Sequence, residues 1–441
     1  MRQDKFRKNI LPIIDKLFRL AFSITGSKED AEDVVQDVLY NVWRKKEAWE
    51  EIGNLEAYCF RSTRNTALDK ISLKENQNET IPEDFDYPVL EGDVQRKIEE
   101  QEQLEALDKW LKKLLICIVI LLCCVHPNQA QATALKFNAN GKFKIVQLTD
   151  IHYIYGNPEA DIALECIDKT LDFEQPDLII VTGDLIYGKP AEESMHTIIK
   201  RISSKKTPFI VLFGNHDDEF GLNRSELLKI VKSYPHNLTD TAPGIFGVSN
   251  GIVTLKDKAG KDAYILYYLD SNAYSQIEGV KGYDYIRFDQ IQWYRENSAA
   301  FTRRNGGKPV PSLAFFHIPF PEFAQAAADE KAPLIGSRTE AACPPQLNSG
   351  MFTALKEMGD VTGVFVGHDH DNDYLTFWKD IVLAYGRYSG ANTVYNNLKP
   401  NGCRVIELTE GEKSFKTWIR LRDGSIINMV NCPADFIKQK Q

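Results

Sequence analysis

Asp150 and His152, Asp184, Asn215 and His216, His317, and His368 with His370 lie in five short stretches spread over more than two hundred residues. Five of the eight histidines of the chain fall there. Imidazole, carboxylate and amide oxygen are ligands for zinc, manganese and iron, and several of them in one constellation describe a two-metal site. A lone Asp-x-His or Gly-Asp would be an ordinary polar strand end. Five such stretches in order are not.

The elements that must position these groups share one design. Apolar runs precede each polar group: Phe143 to Leu148 before Thr149-Asp150-Ile151-His152, Asp177 to Val181 before Thr182-Gly183-Asp184, and Pro208 to Phe213 before Gly214-Asn215-His216-Asp217. Ser312 to Phe316 leads likewise into His317, and Val361 to Val366 into Gly367-His368-Asp369-His370. Such runs are buried strands, and in open α/β sheets distant segments converge in the crevice beyond the strand carboxyl ends. Gly183, Gly214 and Gly367 permit tight turns there.

The chemistry this set serves is phosphoester hydrolysis. Two cations about 3.5–4 Å apart stabilise the attacking and leaving oxygens together and make hydroxide available near neutral pH. Asp184 ends the second strand and is the carboxylate of its motif, so it is expected to bridge. Asp150, His152 and His370 would complete one metal, and Asn215, His317 and His368 the other. His216 is left free to protonate the leaving alkoxide, with Asp217 fixing its tautomer. Asn215 and His216 would also meet the substrate, and Arg387 could reach its phosphate as a charged fork.

With these motifs the segment from about residue 140 to 420 resembles the calcineurin-like metallophosphoesterases, close to the purple acid phosphatases. The resemblance implies a four-layer αββα sandwich with a dinuclear centre of iron, manganese or zinc at one edge, and supports the same ligand set. Purple acid phosphatases have glycine where His152 stands and use the tyrosine matching Tyr187 as an iron ligand. Here His152 is expected to take that position and Tyr187 to line the pocket, which argues against a ferric–tyrosinate centre. Within this part helices are predicted at about 158–175, 191–205, 223–234, 286–304 and 349–358. A hairpin over 255–268 should turn at Ala259-Gly260, and strands at 405–408 and 415–420 should extend the second sheet. The proline-bearing segment 319–349 is long enough to wall the pocket.

Residues 1–72 have another character. Apolar stripes at helical spacing predict three helices: one through Leu11, Ile14, Leu17 and Phe18, one from Ser27 through Val34, Val38 and Val42, and one from Asn54. Ser27 leads an acidic first turn that suits a helix N-terminus. The run Ile24 to Val38, followed by Asn54 to Lys70, resembles region 2 of extracytoplasmic-function sigma factors, a small all-α domain. The resemblance implies polymerase-clamp binding around Gln36 to Trp43, and promoter DNA near Trp49 to Asn54 and at Tyr58, Arg61, Arg64 and Lys70. Residues 73–111 are an acidic linker ending in a truncated start of a second sigma domain, at Gln103 to Leu111.

Residues 112–132 change character again. Lys109, Lys112 and Lys113 precede the twelve-residue uncharged run Leu114 to Val125, and Ala130-Gln131-Ala132 follows. Basic flank, short apolar core and small-residue site describe a secretory signal peptide; a membrane span needs about 20 residues. The expectation is a fusion of two coding units, with the phosphoesterase part, 133–441, exported and the sigma-like part cytoplasmic; the alternatives are a membrane-anchored bifunctional sensor and a transcription-initiation protein with a passenger phosphatase. Uncleaved, residues 114–125 would contact a membrane. The net charge of −9 gives no general attraction to nucleic acid, so any DNA contact must rest on the local basic helix. Cys166, Cys343, Cys403 and Cys432 would survive cleavage, and export would permit up to two disulfides.

Overall fold

The computed structural model describes residues 10–44, 55–75, 133–329 and 331–438. The chain divides into two compact units, Met1–Leu115 and Ile116–Gln441. In the first, α1 (Ile14–Thr25) stops at Gly26, whose φ of 65° only glycine adopts freely, and whose N–H donates to the Phe22 carbonyl. Ser27 Oγ then accepts from the Asp30 N–H at the start of α2 (Lys28–Arg44). α3 (Leu55–Glu75) passes the expected boundary at 72, because Leu73, Lys74 and Glu75 are helix formers with nothing to break the run. Leu17, Ala21, Val34, Val38, Val42, Leu55, Cys59 and Ala67 close a small core. The linker, the signal-like segment and the loop Trp49 to Asn54 lie outside the described residues. Among those described, no helix is long and apolar enough to cross a membrane.

The second unit is built on two sheets. One holds β2 (Lys142–Leu148), β3 (Leu178–Thr182), β4 (Phe209–Leu212), β12 (Gly402–Thr409), β13 (Phe415–Leu421) and β14 (Ile426–Cys432), in the order β14-β13-β12-β2-β3-β4. The other holds β1 (Thr133–Lys136), β5 (Gly251–Lys256), β6 (Asp262–Tyr268), β7 (Ser312–Phe315), β8 (Leu334–Ile335), β9 (Val361–Val366), β10 (Leu375–Trp378) and β11 (Ile381–Tyr385), ordered β1-β5-β6-β7-β9-β11-β10-β8. The period of two decides which side chain goes where. In β2, Phe143 and Ile145 enter the core between the sheets with Ile180, Leu313, Phe365 and Ile406. Val146 and Leu148 point outward to α4 (Asp161–Glu174), α5 (Ala191–Ser203) and α6 (Arg224–Lys232). α7 (Phe288–Arg304), α8 (Glu322–Ala328) and α9 (Met351–Met358) cover the outer face of the second sheet, and α10 (Ala434–Lys438) ends the described chain. The four-layer α/β sandwich is therefore present.

β12 and β13 differ from expectation. They extend the sheet of the first strands, because β12 pairs antiparallel with β2 in the register Val405↔Val146. The segment 319–349 is not one loop: it holds α8 and β8, which pairs with β10. Cys166, Cys403 and Cys432 are buried free thiols, and Cys343 is an exposed one.

Candidate metal centre

The strands β2, β3 and β4 run parallel, as do β7 and β9, so five carboxyl ends gather at one edge of the sandwich. Just beyond them the backbone turns sharply: Asp150, His152, Asp184 and His368 all have φ between 47° and 79°. Gly183 shares that conformation at 92°. Gly214 and Gly367 serve close approach instead. A Cβ on Gly214 would lie 2.1 Å from Oδ1 of Asp184 and 2.6 Å from its backbone N, and one on Gly367 1.9 Å from Oγ1 of Thr149. Gly214→Ala is therefore expected to destabilise the protein by about 1–3 kcal/mol through overpacking. It should also weaken metal binding by displacing Asp184, read by urea unfolding and by metal titration.

Asp150, His152, Asp184 and His370 bring ligand atoms within 4.8 Å of one another, and Asp184, His317 and His368 form a second such group. Asp184 is common to both. Its Oδ2 lies 3.2 Å from Nε2 of His317 and 3.7 Å from Nε2 of His152. Oδ1 of Asn215 is 3.3 Å from the same nitrogen of His317. Backbone carbonyls hold the rings: Thr182 accepts from Nδ1 of His317 at 2.7 Å and Tyr395 from Nδ1 of His370 at 2.9 Å. A carbonyl only accepts, so each ring carries its proton on Nδ1 and turns Nε2 inward. Nε2 of His370 then lies 3.0 Å from Nε2 of His152, whose Nδ1 has no partner. Buried nitrogens and carboxylates converging in this way fit cations, and all seven residues but one, Asn215, offer an ionisable or imidazole ligand.

The electrostatics differ from one ligand to the next. Burial pulls His152 and His368 well below the ordinary imidazole range, leaving lone pairs free to ligate. At His317 burial also lowers, but Asp184 and Asp150 outweigh it and raise the ring to about 9. Burial pushes Asp150 up. At Asp184 the facing histidines overcome burial and hold the carboxyl well below its usual range.

The family model of calcineurin-like phosphoesterases matches residues 143–372. The chain belongs to that family. A protein of Arabidopsis thaliana named "Probable inactive purple acid phosphatase 29" is 32% identical over 70% of this chain and 91% of its own length. "Phosphatase DCR2" of Saccharomyces cerevisiae is 33% identical over 67% of this chain and 56% of its own length. The sigma-70 region 2 model matches residues 13–76. "ECF RNA polymerase sigma factor SigE" of Mycolicibacterium smegmatis is 30% identical over 21% of this chain and 36% of its own length.

Within this calcineurin-like centre, several residues behave differently from expectation. The Asp217 carboxylate does not hold the His216 ring. Its carboxylate accepts the backbone N–H groups of Asp184, Leu185, Ile186 and Gly214 at 2.7–3.2 Å, tying the second and third motif turns together. Burial and Asp184 push it up to about 7. The partner of His216 is Glu219, whose Oε2 lies 2.8 Å from Nδ1. It stands one turn on in Asn215-His216-Asp217-Asp218-Glu219, a spacing that could have revealed it. His216 keeps 26% of its side chain exposed, and its N–H donates to Oδ1 of Asp184. Tyr187 stands edge-on to both His152 and His216, with ring centroids 5.1 Å apart in each case.

Arg387 is not at the site. It is 3% exposed, donating to Oδ2 of Asp373 at 2.6 Å and to the Pro400 carbonyl at 2.7 Å. The apolar strand before it delivers it inward, where a carboxylate is waiting. Arg387→Leu should lower unfolding free energy by about 3–5 kcal/mol because it strands a buried carboxylate. Chemical denaturation checks this, and an unchanged midpoint would refute it.

In the N-terminal unit, Lys70 does not stand free either. It bonds Asp33 at 2.7 Å and approaches Asp30 at 3.6 Å, joining α3 to α2. Tyr58 packs partly against the small core, and Arg61 and Arg64 are exposed.

Proposed function

We propose that the calcineurin-like part is an active phosphoester hydrolase using two cations held by Asp150, His152 and His370 and by Asn215, His317 and His368, with Asp184 shared. The observation that carries this is the pair of buried ligand groups meeting at Asp184. The word "inactive" in the name of the Arabidopsis relative does not transfer, because here all seven ligand-type side chains are present and converge. When bound, the cations supply hydroxide near neutral pH and offset charge on the reacting phosphoryl group.

The protein residues do the rest. Glu219 holds Nδ1 of His216, and the partly exposed ring can then present its other nitrogen to the leaving oxygen as general acid. Asp217 locks the turns that aim Asp184 and Asn215. Backbone carbonyls of Thr182 and Tyr395 keep two imidazoles facing the cations.

The test is hydrolysis of an aryl phosphate monoester and diester by the full chain, stripped with a chelator and resupplied with manganese, zinc or iron. Restored turnover supports the proposal and ranks monoester against diester. No turnover with any of the three metals overturns it.

The match to sigma-70 region 2 favours a second activity for the first unit, binding of the RNA polymerase core through residues 13–76. Retention of the full chain on immobilised polymerase core tests it. The signal-like residues 112–132 support export of the phosphoesterase part, and the size of the chain in the exported fraction decides whether cleavage occurs there.

A further inference from the structure

Two exposed tyrosines flank the cation ligands, and each is backed by a ring. Tyr283 meets His368 edge-on at a centroid distance of 4.2 Å, and Tyr274 stacks on Tyr283 at 5.7 Å with 25° between the planes. The pair faces across a short backbone ladder, in which Ser275 N–H donates to Gly282 O at 2.9 Å and Asp284 N–H to Ala273 O at 3.0 Å. On the other side Tyr395 stacks on His370 at 4.5 Å and 27°. Tyr274 remains 39% exposed and Tyr395 57%. Stacking holds both rings, and their hydroxyls are engaged as well: that of Tyr274 donates to Glu219 at 2.8 Å and accepts from Nδ2 of Asn215 at 3.2 Å, and that of Tyr395 donates to Glu340 at 3.0 Å.

The arginines that neighbouring elements carry are committed elsewhere. Arg224 donates to Asp270 and to the carbonyls of Gly214 and Asn272, and Arg387 to Asp373. With those guanidiniums engaged, the phosphate meets the cations, and selectivity must come from the organic part of the substrate. Fixed, outward-facing aromatic planes beside the phosphate position receive flat rings, because stacking needs area and no particular hydrogen-bond pattern.

We propose that the leaving group carries a planar aromatic ring, received by Tyr274 or Tyr395. This rests on the hydrolase reading above. A nucleobase and a benzylic or phenolic ring offer the same chemistry, so the experiment uses two matched pairs: adenosine 5′-monophosphate against ribose 5-phosphate, and benzyl phosphate against ethyl phosphate. Each pair differs in the ring while the ester remains that of an aliphatic alcohol. We expect kcat/KM of the metal-loaded full chain to favour the ring-bearing member of at least one pair by about tenfold or more, the size of one stacking contact. The favoured pair identifies a nucleoside or a simple aryl group.

Tyr274→Leu or Tyr395→Leu should bring that ratio toward one, whereas Tyr274→Phe and Tyr395→Phe should keep it; because the Tyr274 hydroxyl also meets Asn215 and Glu219, the Tyr274 variants should slow both members of a pair alike, and the ratio is the readout. Competitive inhibition of the unaltered protein by adenosine or benzyl alcohol, and not by ribose or ethanol, gives a readout that no variant's folding can spoil. Equal rates within both pairs, with the ringless esters hydrolysed, overturn the ring proposal and leave the hydrolase standing. A preference unchanged in both leucine variants overturns the tyrosines as its source. Hydrolysis of none of the four esters overturns the ring proposal, and the hydrolase reading falls with it only if the aryl monoester and diester are also left intact.

Discussion

Asp184→Asn is expected to leave the protein folded, without either cation, and slowed in phosphoester hydrolysis by about a thousandfold or more. The substitution is chosen for the backbone as much as for the charge. Asp184 has φ of 53°, and asparagine tolerates that conformation better than most residues. Its side-chain oxygen can still accept the His216 N–H that Oδ1 of Asp184 accepts now. What asparagine cannot do is offer two anionic oxygens to two cations. Because Asp184 belongs to both ligand groups, both should empty together. Elemental analysis of the purified variant reads this directly. Wild-type occupancy of both positions would remove Asp184 from the bridging role.

His216→Ala should do the opposite to the metals and much the same to the rate. Its ring is not part of either ligand group, and its Nδ1 is taken by Glu219 at 2.8 Å. Metal content should therefore match the unaltered protein, while kcat for a poor alkoxide leaving group falls by about 10²–10⁴, the usual range for a positioned general acid. An activated phenolate leaves without a proton, so the loss should shrink for a nitrophenyl ester. A variant that loses cations as completely as Asp184→Asn would place His216 among the ligands. A loss equal for both leaving groups would remove it from protonation.

The contrast between His216 and Asp217 shows what was legible in the sequence. Each ligand residue follows an apolar strand, and parallel strands ending together leave little choice about where those residues meet. Hence the fold and the convergence of Asp150, His152, Asp184, Asn215, His317, His368 and His370 could be argued from spacing and resemblance. Which of several acids on one turn takes a given partner could not. Asp217 and Glu219 are both acids near His216, and four backbone N–H groups claim the first while the second swings to the ring. Arg387 failed for a related reason: nothing in the chain order says that Asp373 is beside it in the core. Lys70 likewise meets Asp33, thirty-seven residues away, only once α2 and α3 pack. The tyrosines at 274, 283 and 395 carry no local pattern at all, since loops set their place.

Four of the turns that hold ligand residues have a further consequence. Asp150, His152, Asp184 and His368 all adopt a left-handed backbone that glycine takes freely and other residues resist by about 1–3 kcal/mol each. Exchanging any of them for glycine should relax the local backbone, although it deletes a ligand and, at Asp150 and Asp184, the acceptor of a backbone N–H. Mutational drift therefore has a built-in direction here. A lineage released from the need to hydrolyse would shed these side chains before it loosened the sandwich, and would persist as a well-folded binding scaffold. Ancestry read from the fold alone would not reveal when the chemistry ended. The residue types at these four turns would, because in a chain under no catalytic demand the backbone strain favours their replacement.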